Sequence, residues 1–288
     1  MPTGAAIPAD RILVDEAGNE SGIWGKFRLK SAFQLVYQRD ADVLLPVAVE
    51  GRTVASLDSS VLSPGLFDIT ATRDELALLA RIGRAIHVGN LQNVAGSIRL
   101  GLFLAIDAEA FADPPLLLEE IAALSERLAE FAIEPGQVAF TFRDHAGIDE
   151  HDLAGCAATI RNRGMRVCLE EPGPVFSAPS LLSAIAPDFL RLGADRLCML
   201  AREPQVQRMV RSMFGSLHER GIETLVSDID DGAELVAALD AGARCFQGAL
   251  FSEPRLSGTL FDLQPLPIEM LRGRGDNVVP LFRGRNAS

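Results

Sequence analysis

From Phe27 onward, short apolar runs rich in β-formers alternate with longer segments whose apolar residues repeat at helical spacing. Strands are predicted at Phe33–Tyr37, Leu44–Val49, Leu100–Ile106, Val138–Phe142, Met165–Leu169, Phe189–Leu192, Glu223–Val226 and Arg244–Phe246. Helices are predicted between them, at Arg73–Val88, Leu116–Phe131, Glu150–Arg163, Gln205–Arg220 and Asp231–Ala241. In the second of these, Leu116, Ile121, Leu124 and Leu128 form one apolar stripe. Gly164, Gly221 and Gly242 stand where helices should stop, and Asp149 or Glu150, and Asp230 or Asp231, where helices should start.

Strand and helix alternating at this spacing give an α/β protein with a parallel sheet, and eight strand candidates in roughly 220 residues match a single (β/α)8 barrel of the TIM type. About six residues join the first two runs, too few for a crossover helix, so that pair should be antiparallel. Residues 1–26 show no sustained period and read as an N-terminal arm. The barrel should span 27–260, and 261–288 should form a C-terminal extension whose polar end carries one apolar patch, Val278–Phe282.

The chain has 288 residues, with 48% hydrophobic residues and a net charge of −12. That acidity argues against a nucleic-acid duplex or an anionic membrane surface as partner. No apolar run is long enough to span a bilayer, and Met1–Asp10 lacks the pattern of a signal peptide. The widely spaced Cys156, Cys168, Cys198 and Cys245 read as reduced core residues, the pattern of a cytoplasmic protein.

Function in such a barrel belongs at the C-terminal strand ends. Those ends present Glu50, then Arg143, Asp144 and His145, then Glu170 and Glu171, and Ser227, Asp228, Asp230 and Asp231, with Arg191 inside a strand. Converging carboxylates suit Mg²⁺ or Mn²⁺, but acidic helix caps are common, and spacing alone favours the capping reading. The four histidines form no zinc pattern, and His145 and His151 read as solvated loop residues. Phosphate-cradling glycine loops and G-x-S-x-G elbows are absent.

Several stretches resemble EAL domains, the cyclic di-GMP phosphodiesterase barrels of bacteria. Gln247–Pro254 (QGALFSEP) is similar to the family's closing "QGYLFSRP", and Ile160–Gly173 (IRNRGMRVCLEEPG) to "LRxLGVRIALDDFG". Phe189–Leu192 sits where "xIKID" would be, Gly221–Asp231 where "GIxVVAEGVET" would be, Ala32–Val36 resembles "YQPIV", and Ser63-Pro64 resembles the "SP" before the first long helix. The resemblance covers about 27–256 and implies a barrel with an antiparallel first strand, a two-metal site and cyclic di-GMP as ligand.

The departures lie at the ligand positions that the resemblance implies. The signature E-A-L-x-R falls near Ala48–Arg52, where no single register retains Glu, Leu and Arg together. The metal-binding Asn corresponds to Ala105 and the central Glu to Thr141; the Asp pair becomes Glu170-Glu171, the Lys becomes Arg191, and the Glu of "AEGVE" becomes Ser227, with Asp230 after it. Gln34 and Gln247 are unchanged. A two-metal clamp holds its ions about 3.5–4 Å apart, and Ala and Thr offer no replacement for the missing oxygen donors. The expectation is therefore an inactive EAL-like regulatory or adaptor protein that works by binding a protein partner, with no cofactor. Two alternatives are a cyclic di-GMP receptor that binds without cleaving, and a residual Mg²⁺- or Mn²⁺-dependent phosphodiesterase. The candidate site is Gln34, Glu50, Arg52, Glu170, Glu171, Arg191, Asp230 and Gln247. Related barrels often pair, so a homodimer is also expected.

Overall fold

The computed structural model describes residues 11–57, 60–61, 71–95, 98–171 and 179–273. The Ser63-Pro64 resemblance, the Val278–Phe282 patch and Pro172 lie outside them.

The strands are β1 (Ile12–Val14), β2 (Glu20–Trp24), β3 (Phe27–Asp40), β4 (Val43–Leu57), β5 (Ser60–Val61), β6 (Gly101–Ile106), β7 (Val138–Phe142), β8 (Arg166–Glu170), β9 (Phe189–Gly193), β10 (Glu223–Ser227), β11 (Cys245–Phe246), β12 (Arg255–Leu256) and β13 (Leu266–Pro267). The helices are α1 (Arg73–Asn90), α2 (Gln92–Ala95), α3 (Pro114–Glu130), α4 (Glu150–Asn162), α5 (Pro179–Ile185), α6 (Ala194–Ala201), α7 (Pro204–Glu219), α8 (Gly232–Ala241) and α9 (Ile268–Arg272).

Eight strands close a barrel in the order β3-β4-β6-β7-β8-β9-β10-β11, with β11 returning to β3. All neighbours are parallel except at β3, which runs antiparallel to both β4 and β11. The short Gln38–Val43 connection thus does what its length requires: a tight hairpin, with Ala41 at φ 50°. The main core lies between strands and helices, where buried Leu117, Ile121, Leu124 and Leu128 line the inner face of α3.

The local signals act as elementary backbone physics dictates. Asp149 and Asp231 cap α4 and α8 through their side chains, and Gly164, Gly221 and Gly242 adopt left-handed φ of 76°, 78° and 86° at helix ends. Helices α5 and α6 have 7 and 8 residues, too few turns to show a period in sequence.

Two features depart from the sequence reading. Residues 12–24 form β1 and β2, an antiparallel pair added to β3; their faces are half exposed, so no apolar alternation marks them. Strands β3 and β4, 14 and 15 residues long, are also far longer than the 5-residue strands opposite them. Strand β4 pairs with β6 only through Ala48–Glu50, so residues beyond that point rise above the mouth as a ribbon. Helix α1 packs on one face of this ribbon through Leu29, Ala55, Ile82 and Ile86.

Candidate functional site

Side chains alternate along each strand, so the barrel interior is built in layers. The lower layer is small and apolar: Val36, Ala48, Phe103, Ala139, Cys168, Leu225 and Cys245, with Phe189 packed against it. Two residues toward the mouth, the same faces carry Gln34, Glu50, Ala105, Thr141, Glu170, Arg191, Ser227 and Gln247. Five of the eight sequence-derived candidates therefore meet in one ring.

Glu50 is its centre, 2% exposed. Both oxygens face Arg191, whose Nη1 pairs with Oε1 and whose Nη2 lies 3.4 Å from Oε2. Gln247 Nε2 donates to Glu50 Oε2 at 2.9 Å, and Arg191 Nη2 donates to Gln247 Oε1 at 3.0 Å. Arg52 closes the network from above, with Nη2 at 3.2 Å from the same Glu50 oxygen. Burial by itself would raise the Glu50 pKa; the Arg191 charge and these donors outweigh it and hold it at about 2. Glu50 in turn raises the Arg191 pKa above its ordinary value against the opposing effect of burial.

Glu170 stands on the other side of Arg191, its Oε2 3.4 Å from Nε. Its pKa is raised because burial outweighs the attraction of Arg191 and Arg143. Gln34 donates to the Ser252 carbonyl at 2.9 Å and so ties the segment after β11 to β3. The neighbouring Gly51 has a packing reason: a Cβ there would stand 2.6 Å from the His87 ring of α1.

Two candidates lie elsewhere. Glu171 is buried behind the ring, its amide bonded to the Arg191 carbonyl and its own carbonyl accepting from Arg196. Asp230 is exposed on the loop before α8, with its amide held by Glu234 at 2.7 Å. Of the strand-end carboxylates, Glu50 and Glu170 share Arg191, whereas the Glu171 side chain is buried and does not join them.

Two groups at the rim lie outside the candidate set, although the sequence places Arg143 and His145 both at a strand end. Arg143 pairs with Asp107 at 2.7 Å; the signal was there, since each lies one residue past the end of its strand. His145, expected in solvent, is buried at 6% exposure and donates from Nε2 to the Glu170 carbonyl at 2.9 Å. A loop residue folded back under the rim leaves no mark on the sequence pattern.

The two-metal arrangement implied by the resemblance does not fit these residues. The two carboxylates of the ring both face one permanently charged guanidinium, and the remaining positions are Ala, Thr, Ser and amide side chains. Hard dications need convergent oxygen ligands free of a competing cation. Among the described residues, no group of three or more His, Cys, Asp and Glu side chains is placed to hold a metal ion.

Comparison with known structures agrees on the fold. The YkuI protein of Bacillus subtilis, an EAL-domain protein solved with cyclic di-GMP and calcium, is 19% identical at a TM-score of 0.66, over 81% of this chain and 56% of that one. The FimX EAL domain of Xanthomonas citri, solved with cyclic di-GMP, is 16% identical at a TM-score of 0.65, over 82% of this chain and 91% of that one. An EAL-domain protein from Listeria monocytogenes is 15% identical at a TM-score of 0.61, over 85% and 91% respectively. The chain thus spans little more than half of the YkuI chain and nearly all of the single-domain structures. No described helix is long and apolar enough to cross a membrane. The EAL domain family model matches residues 26–254, and the chain belongs to that family.

Proposed function

We propose that this protein is an EAL-type barrel that works by binding and not by hydrolysis, as a regulatory or adaptor protein that engages a protein partner. One observation carries the reading: the ring that would have to hold metal ions is closed by its own side chains. Glu50 accepts from Arg191, Arg52 and Gln247, and Arg191 also faces Glu170. A carboxylate held this way is fully charged and already partnered, so it supplies neither a free ligand nor a base near neutral pH. The reducing, cytoplasmic setting read from the cysteines accords with this role.

A second reading has its own support. Arg52 and Arg143 keep 40% and 38% of their side chains exposed at the rim, and the acids Glu50, Asp107 and Glu170 are each paired with one of Arg52, Arg143 and Arg191. The mouth therefore repels a dianion less than its composition suggests, and a cyclic di-GMP receptor that does not cleave is compatible with it.

The test is isothermal titration with cyclic di-GMP, with and without Mg²⁺ or Mn²⁺, followed by assay of the same samples for linear product. The expected result is no product under any condition. Absence of binding supports the protein-partner reading, and tight binding without product selects the receptor reading. Metal-dependent product overturns both.

A further inference from the structure

The ribbon above the mouth carries charge of the opposite sign to the protein as a whole. Between Ser21 and Gln38 there is no acidic residue, whereas Lys26, Arg28 and Lys30 occur at alternate positions. Lys26 and Lys30 are the only two lysines in a chain of net charge −12.

Alternation places Arg28 and Lys30 on the same face of β3 as Gln34, the face turned away from α1. Lys26 sits in the tight turn between β2 and β3, beside Gly25 at φ 57°. Beneath them lies a cleft of about 540 Å³ lined by these cations and by Ser21, Ser56 and Ser257.

Two acids, Asp15 and Glu20, line the same cleft, and the Lys30 charge adds to the Asn19 amide in lowering the Asp15 pKa. Each acid nevertheless has its hydrogen-bond or ion-pair partners on other residues. Glu20 is buried and paired with Arg127. The Asp15 carboxylate accepts the amides of Ala17 and Asn19 at 2.9 and 2.8 Å within its turn. Among the described residues, no carboxylate lies within ion-pairing distance of Lys26, Arg28 or Lys30. Arg28 has one side-chain partner, the Ser21 hydroxyl at 3.1 Å. Three like charges on neighbouring positions repel one another; Lys30 acts on Asp15 through space and Lys26 lies 5.6 Å over the Phe27 ring, but no direct ion pair offsets the cost.

We propose that this cleft binds a small molecule bearing two or more linked phosphates. Successive cations on a strand face stand about 7 Å apart, which suits two adjacent phosphates better than one point charge. The volume is that of a nucleotide-sized site; Ser56 and Ser257 already donate to the Arg28 carbonyl and to Asn19, whereas the Ser21 hydroxyl accepts from Arg28 and keeps its own proton for a phosphate oxygen. Four residues, about 13 Å along the strand, separate Lys30 from Gln34, so this site is distinct from the mouth and does not rest on the proposed function.

Because the chain has two lysines, reductive ¹³C-methylation, which preserves their charge, labels the cleft and little else. Methyl signals are followed by NMR while pyrophosphate or ADP is added to the intact protein at low and at physiological ionic strength. Both lysine signals should move along a saturating curve, and Arg28→Gln, an exposed change that leaves the fold intact, should weaken binding about tenfold or more. Equal response to both probes assigns the site to the oligophosphate; tighter ADP binding assigns the nucleoside to it as well. Linear shifts reproduced by sodium sulfate at matched ionic strength, or curves unchanged in Arg28→Gln, overturn the proposal. So does ADP binding that leaves the lysine signals still.

Discussion

Two buried arginine–carboxylate pairs in this barrel look alike and differ in what they serve. Between α1 and α3, Arg84 grips Glu120 through two parallel bonds of 2.7 and 2.9 Å, and its third nitrogen donates to the Ala105 carbonyl at 2.8 Å. That pair fastens two helices to the end of β6 and is 3% and 2% exposed, at the floor of a cleft where Arg81 stands 3.8 Å from Glu120. At the mouth, Glu50 and Arg191 are as deeply buried, but their network branches outward through Arg52 and Glu170. The first pair is a fastening between helices on the outside of the barrel. The second occupies the axis of the barrel, where a ligand would otherwise reach.

The largest effect expected from breaking this comparison is at the fastening. Arg84→Ala leaves the Glu120 carboxylate buried without its bidentate partner and should cost about 3–5 kcal/mol by urea denaturation. A loss below about 1 kcal/mol would show that water or Arg81 takes over the charge.

Glu50→Ala should cost less, about 3 kcal/mol, because Arg191 keeps Gln247 and Glu170 as partners. The same variant is expected to alter ligand binding at the mouth, which Arg84→Ala should not. Equal or greater destabilisation by Glu50→Ala would remove the distinction between the pair at the mouth and the pair that fastens the helices.

The smallest effect, taken per unit of pH, is a pH dependence close to the mouth. His87, buried between Ser31 at 2.8 Å and Thr53 at 3.3 Å, has its pKa lowered from 6.5 to about 3, chiefly by burial and then by the Arg84 charge. The unfolded chain therefore binds a proton at His87 before the folded one does. Stability should be flat above pH 6.5 and fall by up to about 1.4 kcal/mol per unit as the pH drops from 6.5 toward 3. The depressed pKa of Glu50 adds a second loss between about 4.5 and 2, as its carboxylate is protonated away from Arg191. His87→Gln should abolish the upper window and leave the lower one, a result that urea titrations at stepped pH would resolve.

Much of the candidate site was legible before the fold. Gln34, Glu50, Glu170, Arg191 and Gln247 end or interrupt apolar runs, so period-two alternation turned them inward once the barrel was assumed. Glu171 and Asp230 could not be separated from them, since a carboxylate next to a strand end has the same sequence signature whichever way it faces. His145 and the Arg143–Asp107 pair are set by how loops fold over the rim, which no local period encodes. The β1–β2 pair escaped for a related reason: strands on a half-exposed ribbon have no buried face to write an alternation into the sequence.

The sequence by itself determined the barrel, the antiparallel first strand, the helix ends and the ring positions that depart from the family's ligand set. Those rest on local physics: residue spacing, capping side chains, left-handed glycines and a connection too short for a helix. Tertiary structure alone decided that Glu50 is a partnered ion, that Glu170 and not Glu171 joins it, and that three cations on the ribbon form no direct ion pair among the described residues. Charge pairing depends on distances between residues far apart in the chain, 141 positions in the case of Glu50 and Arg191, and only the closed barrel fixes those.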